Sequence, residues 1–436
     1  MKKLNNNKVI SIIFLIVIGI FTITTLGNLG FRVSRKVMDK IMTSDANNIT
    51  YINTAANKIN TDVKGVEEVT SVKEDEELSL NMKIKKLISK VENSYNSHVF
   101  FREGFVEIYG SMQKLLNKRV QDDYVKDNYD IIQKPTIERD VTSSVDSIND
   151  FSKFISDNGI NFLYVQPPSK VIEDFTSLPQ GIEDKSNMNI DSFLNGLSNV
   201  NYIDLRKNFK NDDIKKEKLF YKTDHHWRIE TAFQAYSFVI DKLNKLYNMN
   251  LDDDGLLTDK NNFDENIYEK NFLGSQGNKL SKSYSGLDDF TLITPNFETN
   301  IKLTQILNDQ ILHERSGSFK DALIYDELIK EKEKGYSIES YTSYLGYGNT
   351  EKIILNSNAD NDKKVLVIGD SFSRPFSAFM SLCFRETRNI DTQPGRFDKD
   401  IYNYILEYQP DLVIVLFDEW ALGSKDTFNF KRIELQ

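Results

Sequence analysis

Two short stretches contain the residue types that acyl-transfer chemistry needs. The first is Gly369-Asp370-Ser371, which follows the apolar run Val365 to Ile368. This run predicts a buried strand, and apolar residues at helical spacing begin at Phe372, so Ser371 should lie between a strand and a helix. At such a junction a hydroxyl is exposed, and backbone N–H groups can stabilise an oxyanion. The same geometry also occurs without any chemistry, so the motif alone leaves a purely structural interpretation open.

The second stretch, Tyr221 to Trp227, holds two of the four histidines of the chain beside an acid. In an extended segment, side chains two residues apart point the same way, so Asp224 and His226 are expected to share a face. With Ser371 as nucleophile, His226 would be the general base and Asp224 would orient its imidazole. His225 would point elsewhere. A capped helix start is the structural alternative, and it is compatible with catalysis because an amphipathic helix begins just downstream.

These two stretches resemble a known family. Gly-Asp-Ser at 369–371 is similar to the nucleophile block of SGNH hydrolases, and Thr-Asp-His-His-Trp at 223–227 matches the motif that names the DHHW group. This group includes the alginate O-acetylation proteins of bacteria. Its Asp-His block precedes the serine block, which reverses the usual SGNH order, and the present chain shows the same reversal. The resemblance extends from roughly His98 to the C-terminus, and it implies a flavodoxin-like SGNH sandwich.

Acyl transfer also needs donors for the oxyanion of the tetrahedral intermediate. The backbone N–H of Ser371 would be one donor. The stretch 272–275 is similar to one seen in DHHW proteins, and Gly274 would let the backbone approach the substrate and donate a second N–H, unless it is a simple turn glycine. Arg396 falls where related sequences often carry Asp-x-Arg, which implies a substrate contact, although a surface arginine fits equally well.

The rest of the C-terminal part alternates between helices and short apolar strands. Strands are predicted at Asn161 to Gln166, Asn201 to Leu205 and Asp411 to Phe417, in addition to the strand before the serine. Helices between them imply a mostly parallel sheet covered on both faces. The loop Pro167 to Lys170 would lie at the carboxyl edge of this sheet, where α/β proteins form their sites.

Other segments are less informative. From about 248 to 360 the chain is polar and loop-rich, which predicts an insertion in the catalytic domain, and Asp321 to Lys334 within it predicts a charged, solvated helix. A stretch that begins at Asn250 partly mimics a calcium loop, but Asn261 stands where a bidentate Glu is needed, so no metal site is expected. The acids at 418 and 419 either line the cleft or belong to a solvated loop.

Composition and charge limit the classes of function. The 436-residue chain is 39% hydrophobic, which is typical of a folded protein with a sizeable core. Its net charge of -10 argues against nucleic acid as a partner. Cys383 is the single cysteine, so a disulfide within the chain is excluded.

The N-terminal region has the features of a membrane anchor. Val9 to Leu26 is an uncharged apolar run that would be about 27 Å long as a helix, which nearly spans a bilayer core. We expect a cytoplasmic leader at 1–8, a transmembrane anchor at 9–28, a polar stalk at 29–95 and an extracytoplasmic catalytic domain at 96–436. A cleaved signal peptide is the alternative, but Asn28-Leu29-Gly30 is a poor cleavage site.

The family resemblance implies a membrane-anchored O-acetyltransferase that acetylates hydroxyls of a secreted or cell-wall polysaccharide through a serine acyl-enzyme. It also implies a multi-pass membrane acyltransferase as the partner that supplies the acetyl group. Neither a cofactor nor a metal ion is expected. Two alternatives stay open. An acetylesterase would use the same triad with water as acceptor, and a polysaccharide-binding or assembly protein would leave the triad idle and work through the polar insertion.

Overall fold

The computed structural model describes residues 102–211, 214–329, 335–348, 350–397, 399–424, 426–428 and 430. The leader expected at 1–8, the anchor expected at 9–28 and the stalk expected at 29–95 therefore lie outside the described residues. Within the part of the chain that is described, no helix is both long enough and apolar enough to cross a bilayer.

Helices and strands alternate along most of the described chain. The strands are β1 (Val120–Gln121), β2 (Tyr124–Lys126), β3 (Ile132–Gln133), β4 (Asn161–Gln166), β5 (Tyr202–Asp204), β6 (Phe263–Phe272), β7 (Asp288–Pro295), β8 (Ile301–Leu307), β9 (Gln310–Gly317), β10 (Glu351–Asn356), β11 (Lys364–Gly369), β12 (Glu386–Ile390) and β13 (Leu412–Leu416). The α-helices are α1 (Arg102–Leu115), α2 (Thr142–Asp157), α3 (Ser186–Gly196), α4 (Leu205–Asn211), α5 (Ile229–Tyr247), α6 (Ser275–Leu280), α7 (Lys282–Ser285), α8 (Phe319–Leu323), α9 (Ser373–Met380) and α10 (Ile401–Tyr408).

One eight-stranded sheet forms the centre of the fold. Its strand order is β5-β4-β13-β11-β12-β10-β8-β9. The five strands from β5 to β12 are mutually parallel, whereas β10, β8 and β9 continue the sheet with antiparallel pairing. Strands β1 to β3 form a small separate sheet, and β6 pairs with β7.

Two hydrophobic cores cover the two faces of the parallel strands, because neighbouring residues of a strand point to opposite sides. In β11, Val365 and Val367 pack on one face with α5 and α9. Leu366 and Ile368 pack on the other face with α2, α3 and α10. Strands β4 and β13 follow the same alternation, which explains why these central strands are almost entirely apolar.

The expected SGNH-like α/β fold is present, but the sheet is mixed rather than mostly parallel. The antiparallel strands come from the segment 248–360. This segment was predicted to be loop-rich, but it contains β6 to β10. Strands β6 and β9 expose most of their side chains, so they lack the apolar run that marks a buried strand. The charged helix expected at 321–334 was also wrong over its described part, where the short α8 is followed by a 3₁₀ turn at Asp326–Leu328.

Strand β11 ends against the backbone of its neighbour. A side chain at position 369 would place its Cβ 2.1 Å from the carbonyl oxygen of Leu416 and 2.8 Å from Cβ of Ser373. Gly369 removes this clash, so β11 stays paired with β13 while the chain turns directly into α9. Ser371 therefore lies at the carboxyl edge of the sheet, between the ends of β13 and β12.

Replacing Gly369 by alanine should destabilise the protein strongly. The clash involves a backbone carbonyl that cannot rotate away, so we expect the free energy of unfolding to fall by about 3 kcal/mol. Gly255→Ala is the matched control, because a Cβ there meets no atom within 4 Å and bears only the strain of a φ of +73°, about 1 kcal/mol. Chemical denaturation of both variants checks this, and equal losses would contradict it.

Candidate active site

Ser371, His226 and Asp224 form one hydrogen-bonded chain. Oγ of Ser371 lies 2.6 Å from Nε2 of His226. On the other side of the imidazole, Nδ1 is in hydrogen-bond contact with Oδ1 of Asp224. Asp224 and His226 are 3% and 8% exposed, whereas Ser371 is partly open to solvent. A hydroxyl therefore lies beside a base, and the base beside a buried carboxylate, which is the arrangement of an activated nucleophile.

A tight turn brings Asp224 and His226 together, rather than the extended segment that the sequence predicted. Phe220 and Trp227 form an antiparallel bridge, and the residues between them bend sharply. Within the turn, the backbone N–H of His226 donates to Oδ1 of Asp224 at 3.0 Å. Aspartate side chains often stabilise turns by accepting a hydrogen bond from the backbone N–H two residues further along the chain. Here the same contact also fixes the carboxylate beside the imidazole.

The turn is held by Asp288 and by the loop that contains Gly274. The N–H and the hydroxyl of Thr223 donate to Oδ2 of Asp288 at 2.8 and 2.6 Å. The N–H of Gly274 donates to Oγ1 of Thr223 at 2.8 Å. A Cβ at position 274 would lie 2.2 Å from Cβ of Asp224. Gly274 therefore permits close packing under the triad, and its engaged N–H does not fit the expected role as an oxyanion donor.

The carboxylate of Asp224 is buried and fully used. Its Oδ2 accepts the backbone N–H of Ser275 at 2.6 Å, and its Oδ1 faces His226. Burial by itself would raise the pKa of Asp224, but His226, His225 and the N–H of Ser275 together lower it well below its ordinary value. Asp224 is therefore ionised at neutral pH, and it can stabilise a positive charge on the imidazole.

His226 is held by an aromatic partner that the sequence did not indicate. The ring of Tyr341 stacks on the imidazole with a centroid distance of 3.8 Å and an interplanar angle of 12°. Nε1 of Trp227 donates to the hydroxyl of Tyr341 at 3.0 Å. Burial lowers the pKa of His226 and the neighbouring His225 adds to this, although Asp224 acts in the opposite direction. The imidazole is therefore neutral at pH 7, as a general base must be.

The turn that carries Ser371 is fixed by the preceding aspartate. Oδ1 of Asp370 accepts the N–H of Phe372 at 2.9 Å, and its Oδ2 accepts the N–H of Asp418 at 2.8 Å. Asp370 thus ties the turn to the end of β13. The N–H of Ser371 donates to no residue in the described part of the chain, so it is available to an oxyanion.

Two further cations lie close to the triad. Nζ of Lys170, in the loop expected at the sheet edge, contacts the carbonyl oxygen of Asp224 and donates to Oε1 of Gln276 at 2.8 Å. Burial lowers the pKa of Lys170 to about 8. Arg374 follows Ser371 on the first turn of α9 and is 8% exposed. Its Nη1 donates to a backbone carbonyl at 2.7 Å, whereas its Nε has no partner among the described residues.

Arg396 lies apart from this group. Its Nη1 is paired with Oδ2 of Asp391, just beyond the end of β12, and its side chain is 38% exposed. Strand β12 neighbours β11, so the pair lies at the same carboxyl edge as Ser371. The expected contact between Arg396 and a substrate stays a prediction.

The one group of potential metal ligands found among the described residues is Asp224, His225 and His226. Their ligand atoms are already engaged: both nitrogens of His226 belong to the triad contacts, and Nδ1 of His225 lies 2.9 Å from Oγ of Ser275. In the calcium-like loop, both carboxylate oxygens of Asp252 accept backbone N–H groups. Asp224 and His226 thus take part in the contacts with Ser371, and the oxygens of Asp252 in the hydrogen bonds of their own loop.

The fold and the site together define a class of protein, the SGNH-like α/β domains with a serine beside a histidine and an acid. More specifically, a family model described as the SGNH hydrolase-like domain of the acetyltransferase AlgX matches residues 128–260. The match includes the turn with Asp224 and His226, and Ser371 lies outside it. It confirms the predicted resemblance, and it supports acyl transfer at the level of the family.

Two solved structures have a similar fold. Bacillus cereus PatB1, determined with a sulfonyl adduct, is 23% identical, with a TM-score of 0.57 over 72% of this chain and 99% of its own. A DHHW family protein from Eubacterium siraeum is 15% identical, with a TM-score of 0.53 over 69% of this chain and 90% of its own. Both likenesses concern the fold. No curated protein sequence matches the chain significantly.

The environment of His226 predicts an unusually low imidazole pKa. Burial disfavours the imidazolium, so His226 should titrate below about 6.5, the ordinary value for histidine. In Asp224→Asn the midpoint should fall further, because the carboxylate is the group that stabilises the charged ring. Nitrogen chemical shifts of the histidine rings measured against pH check this prediction. A His226 midpoint at or above 6.5 would contradict it.

Proposed function

We propose that this protein is an O-acetyltransferase that forms an acetyl-enzyme on Ser371 and passes the acetyl group to a hydroxyl of a polysaccharide. The observation that carries the proposal is the chain of contacts from Ser371 through His226 to Asp224 at the carboxyl edge of the sheet. The match to an acetyltransferase family model supports it independently. The same site with water as acceptor would be an acetylesterase, and the assay of products below separates the two.

In the first half-reaction, Oγ of Ser371 attacks the carbonyl carbon of the donor acetyl group while Nε2 of His226 takes the hydroxyl proton. Asp224 accepts the hydrogen bond from Nδ1 and stabilises the imidazolium that forms. When the tetrahedral intermediate collapses, the bond from the acetyl carbon to the donor oxygen breaks. The proton on Nε2 passes to that leaving oxygen, so the acetyl group stays on Ser371 and the imidazole is neutral again.

In the second half-reaction, a sugar hydroxyl takes the place of the departed donor. Its proton passes to Nε2 of His226 while its oxygen attacks the acetyl carbon. Collapse breaks the bond to Oγ of Ser371, which recovers the proton from the imidazole. The product is an acetylated sugar, and the enzyme returns to its starting state without a cofactor.

Both tetrahedral intermediates carry an oxyanion that needs donors. The N–H of Ser371 is one, since no described residue accepts it. For the second we propose Arg374, which lies on the helical turn after the nucleophile and whose buried Nε has no partner among the described residues. A buried cation of this kind stabilises developing negative charge more than it would in water. This role replaces the one that the sequence had suggested for Gly274.

The cellular setting is proposed from the sequence. The segment 9–28 would anchor the protein in a membrane, with the catalytic domain on the extracytoplasmic side, where a multi-pass acyltransferase would supply the acetyl group. Protease treatment of intact cells tests the placement. If the protease cleaves the C-terminal domain in intact cells, so that the full-length protein disappears, the placement is supported. If the domain is cleaved only after lysis, the placement is refuted.

Removal of any triad side chain should abolish turnover. In the full-length protein, Ser371→Ala, His226→Ala and Asp224→Ala should each lower acetate release from 4-nitrophenyl acetate by at least about 10³-fold, because the nucleophile is no longer activated. His225→Ala, the neighbouring histidine, should keep most of the activity. Thermal denaturation verifies that each variant is folded. Loss in His225→Ala together with retention in His226→Ala would reverse the choice of base.

The proposed nucleophile can be labelled directly. PatB1 has been determined with a sulfonyl adduct, so a sulfonyl fluoride is a suitable probe for an activated serine in this chain. We expect one adduct, located at Ser371 by peptide mass spectrometry, in wild type and in His225→Ala but not in Ser371→Ala. Labelling at other serines with Ser371 unmodified would refute the proposed nucleophile.

Activity should persist at acidic pH. His226 must be neutral to accept the proton, and burial lowers its folded pKa, so activity should be retained as pH falls through about 6.5 and be lost only at lower pH. The measurement is kcat/KM for 4-nitrophenyl acetate against pH. An acid limb centred at or above 6.5 would show that the imidazole is not held neutral by burial.

A further inference from the structure

The segment after the last strand lies directly beside the nucleophile. Strand β13 is placed between β11, which leads to Ser371, and β4, which leads to the loop with Lys170. The chain therefore leaves β13 between these two parts of the site. The N–H of Asp418 donates to Asp370, the residue before the nucleophile, at 2.8 Å. Residues 418–420 are thus fixed relative to Ser371.

These residues form one wall of a narrow cleft. Lys134, Lys170, His225, Gln276, Glu419 and Trp420 are among its lining residues. The ring of His225 lies 3.8 Å, centroid to centroid, from that of the general base His226. The cleft therefore reaches the triad from the side of β4. A molecule bound along it would have one end at the reacting serine.

Glu419 lines this cleft, and one of its carboxyl oxygens has no partner among the described residues. The side chain is 6% exposed; its Oε1 accepts a hydrogen bond from Oγ1 of Thr136 at 3.3 Å, whereas no described residue bonds its Oε2. A buried polar atom without a hydrogen bond is costly, so an atom of this kind at a cleft points to a ligand. Burial raises the pKa of Glu419 to about 8, with repulsion from Asp184 and Asp370 adding to it. At neutral pH the carboxyl is therefore mostly protonated and can donate.

Trp420 adds an aromatic surface at the mouth of the cleft. The residue is 38% exposed, although large aromatic side chains are usually covered. Arg139 holds it in place, since Nη1 donates to the carbonyl oxygen of Trp420 at 2.7 Å and the guanidinium lies 4.8 Å from the ring centroid. A fixed, partly open indole provides contact area at little cost in side-chain entropy. The C–H faces of pyranose rings pack well on such surfaces.

We propose that this cleft is the acceptor subsite, in which Trp420 stacks on a pyranose ring of a neutral glycan and Glu419 hydrogen-bonds one of its hydroxyls. The inference rests on the proposed function and adds to it the residues that favour a sugar hydroxyl over water as the acceptor of the acetyl group. A neutral glycan fits better than an anionic one, since the lining combines two lysines with three acids and therefore offers a uronate no excess of positive charge. Bound there, the sugar presents another hydroxyl to the acetylated Ser371.

The test separates acceptor binding from formation of the acyl-enzyme. Full-length wild type is supplied with 4-nitrophenyl acetate and with cellopentaose, chitopentaose or mannopentaose, and acetylated oligosaccharide is measured by mass spectrometry. We expect at least one of the three to be acetylated. Trp420→Ala should raise the KM for that acceptor by about tenfold or more, with a much smaller change in the rate of nitrophenol release, whereas Trp420→Phe should retain most of the affinity.

The second pair of variants addresses Glu419. Gln carries a donor and an acceptor in the same shape as a protonated carboxyl group, so Glu419→Gln should keep a near wild-type KM for the acceptor, and Glu419→Ala should raise it. Tyr109→Ala, which removes an exposed aromatic ring on α1, is the control for nonspecific effects and should change neither parameter. Equal losses in the Gln and Ala variants would overturn the role of a neutral carboxyl group.

Fluorescence gives a readout that does not need turnover. The chain has two tryptophans, and Trp227 is fully buried, so the oligosaccharide should change the emission of Trp420 in wild type but leave Trp420→Phe unchanged. If nitrophenol release depends on Ser371 but none of the three oligosaccharides is acetylated, the neutral-glycan subsite is wrong while the acyl-enzyme stands. If no release depends on Ser371, the proposed function itself fails.

Discussion

The burial of one ionised carboxylate, Asp224, is the constraint on which the rest of the site depends. A buried charge is costly unless it is paired and hydrogen-bonded, and Asp224 meets this demand with the imidazole of His226 and with two backbone N–H groups. One of these N–H groups comes from the loop at Ser275. That loop can approach only because Gly274 has no side chain to strike the aspartate. Orientation of the base and packing of two distant chain segments thus follow from a single electrostatic requirement.

The segment 248–360 is part of the catalytic domain because it contacts the site residues directly. It supplies the Gly274-Ser275 loop, Asp288 beneath the Asp-His turn, and Tyr341 over the imidazole, and its strands β8 to β10 extend the main sheet. A separate binding module would not contribute contacts to both the acid and the base of the triad. The sequence left open a binding protein with an inactive triad that works through this insertion. The structure fits better with one active site to which the insertion and the rest of the domain both contribute.

Two buried acids of the site have pKa values shifted in opposite directions. Asp224 and Glu419 are both nearly inaccessible, yet the pKa of Asp224 is lowered and that of Glu419 is raised. The difference comes from their partners. Asp224 faces an imidazole and N–H donors, whereas Glu419 faces other carboxyl groups and has one oxygen that bonds no described residue. The cleft thus combines an ionised acid behind the base with a neutral acid on its wall. This division allows one site to stabilise a transient cation and to recognise an uncharged hydroxyl.

The sequence alone determined the features that depend on neighbours along the chain. Apolar runs specified β4, β11 and β13 to within a residue at either end, and the order of the two motifs indicated the SGNH-like α/β class. It also identified Ser371, His226 and Asp224 as candidate site residues, because the two motifs that contain them supply the nucleophile, base and acid that acyl transfer needs. Strand β9 gave no such signal, because none of its side chains is buried and its sequence therefore has no apolar pattern.

Only the tertiary structure decided which distant residues meet. Tyr341 lies 115 positions from His226, and Asp418 lies 48 from its partner Asp370, and no pattern within either segment encodes these contacts. Gly274 looked like an oxyanion donor in the sequence, but its N–H is taken by a hydroxyl from a loop 51 residues away. Local periodicity is set by the geometry of a strand or helix, whereas the partners of a buried polar group are set by packing across the whole chain, and a site is made of such partners.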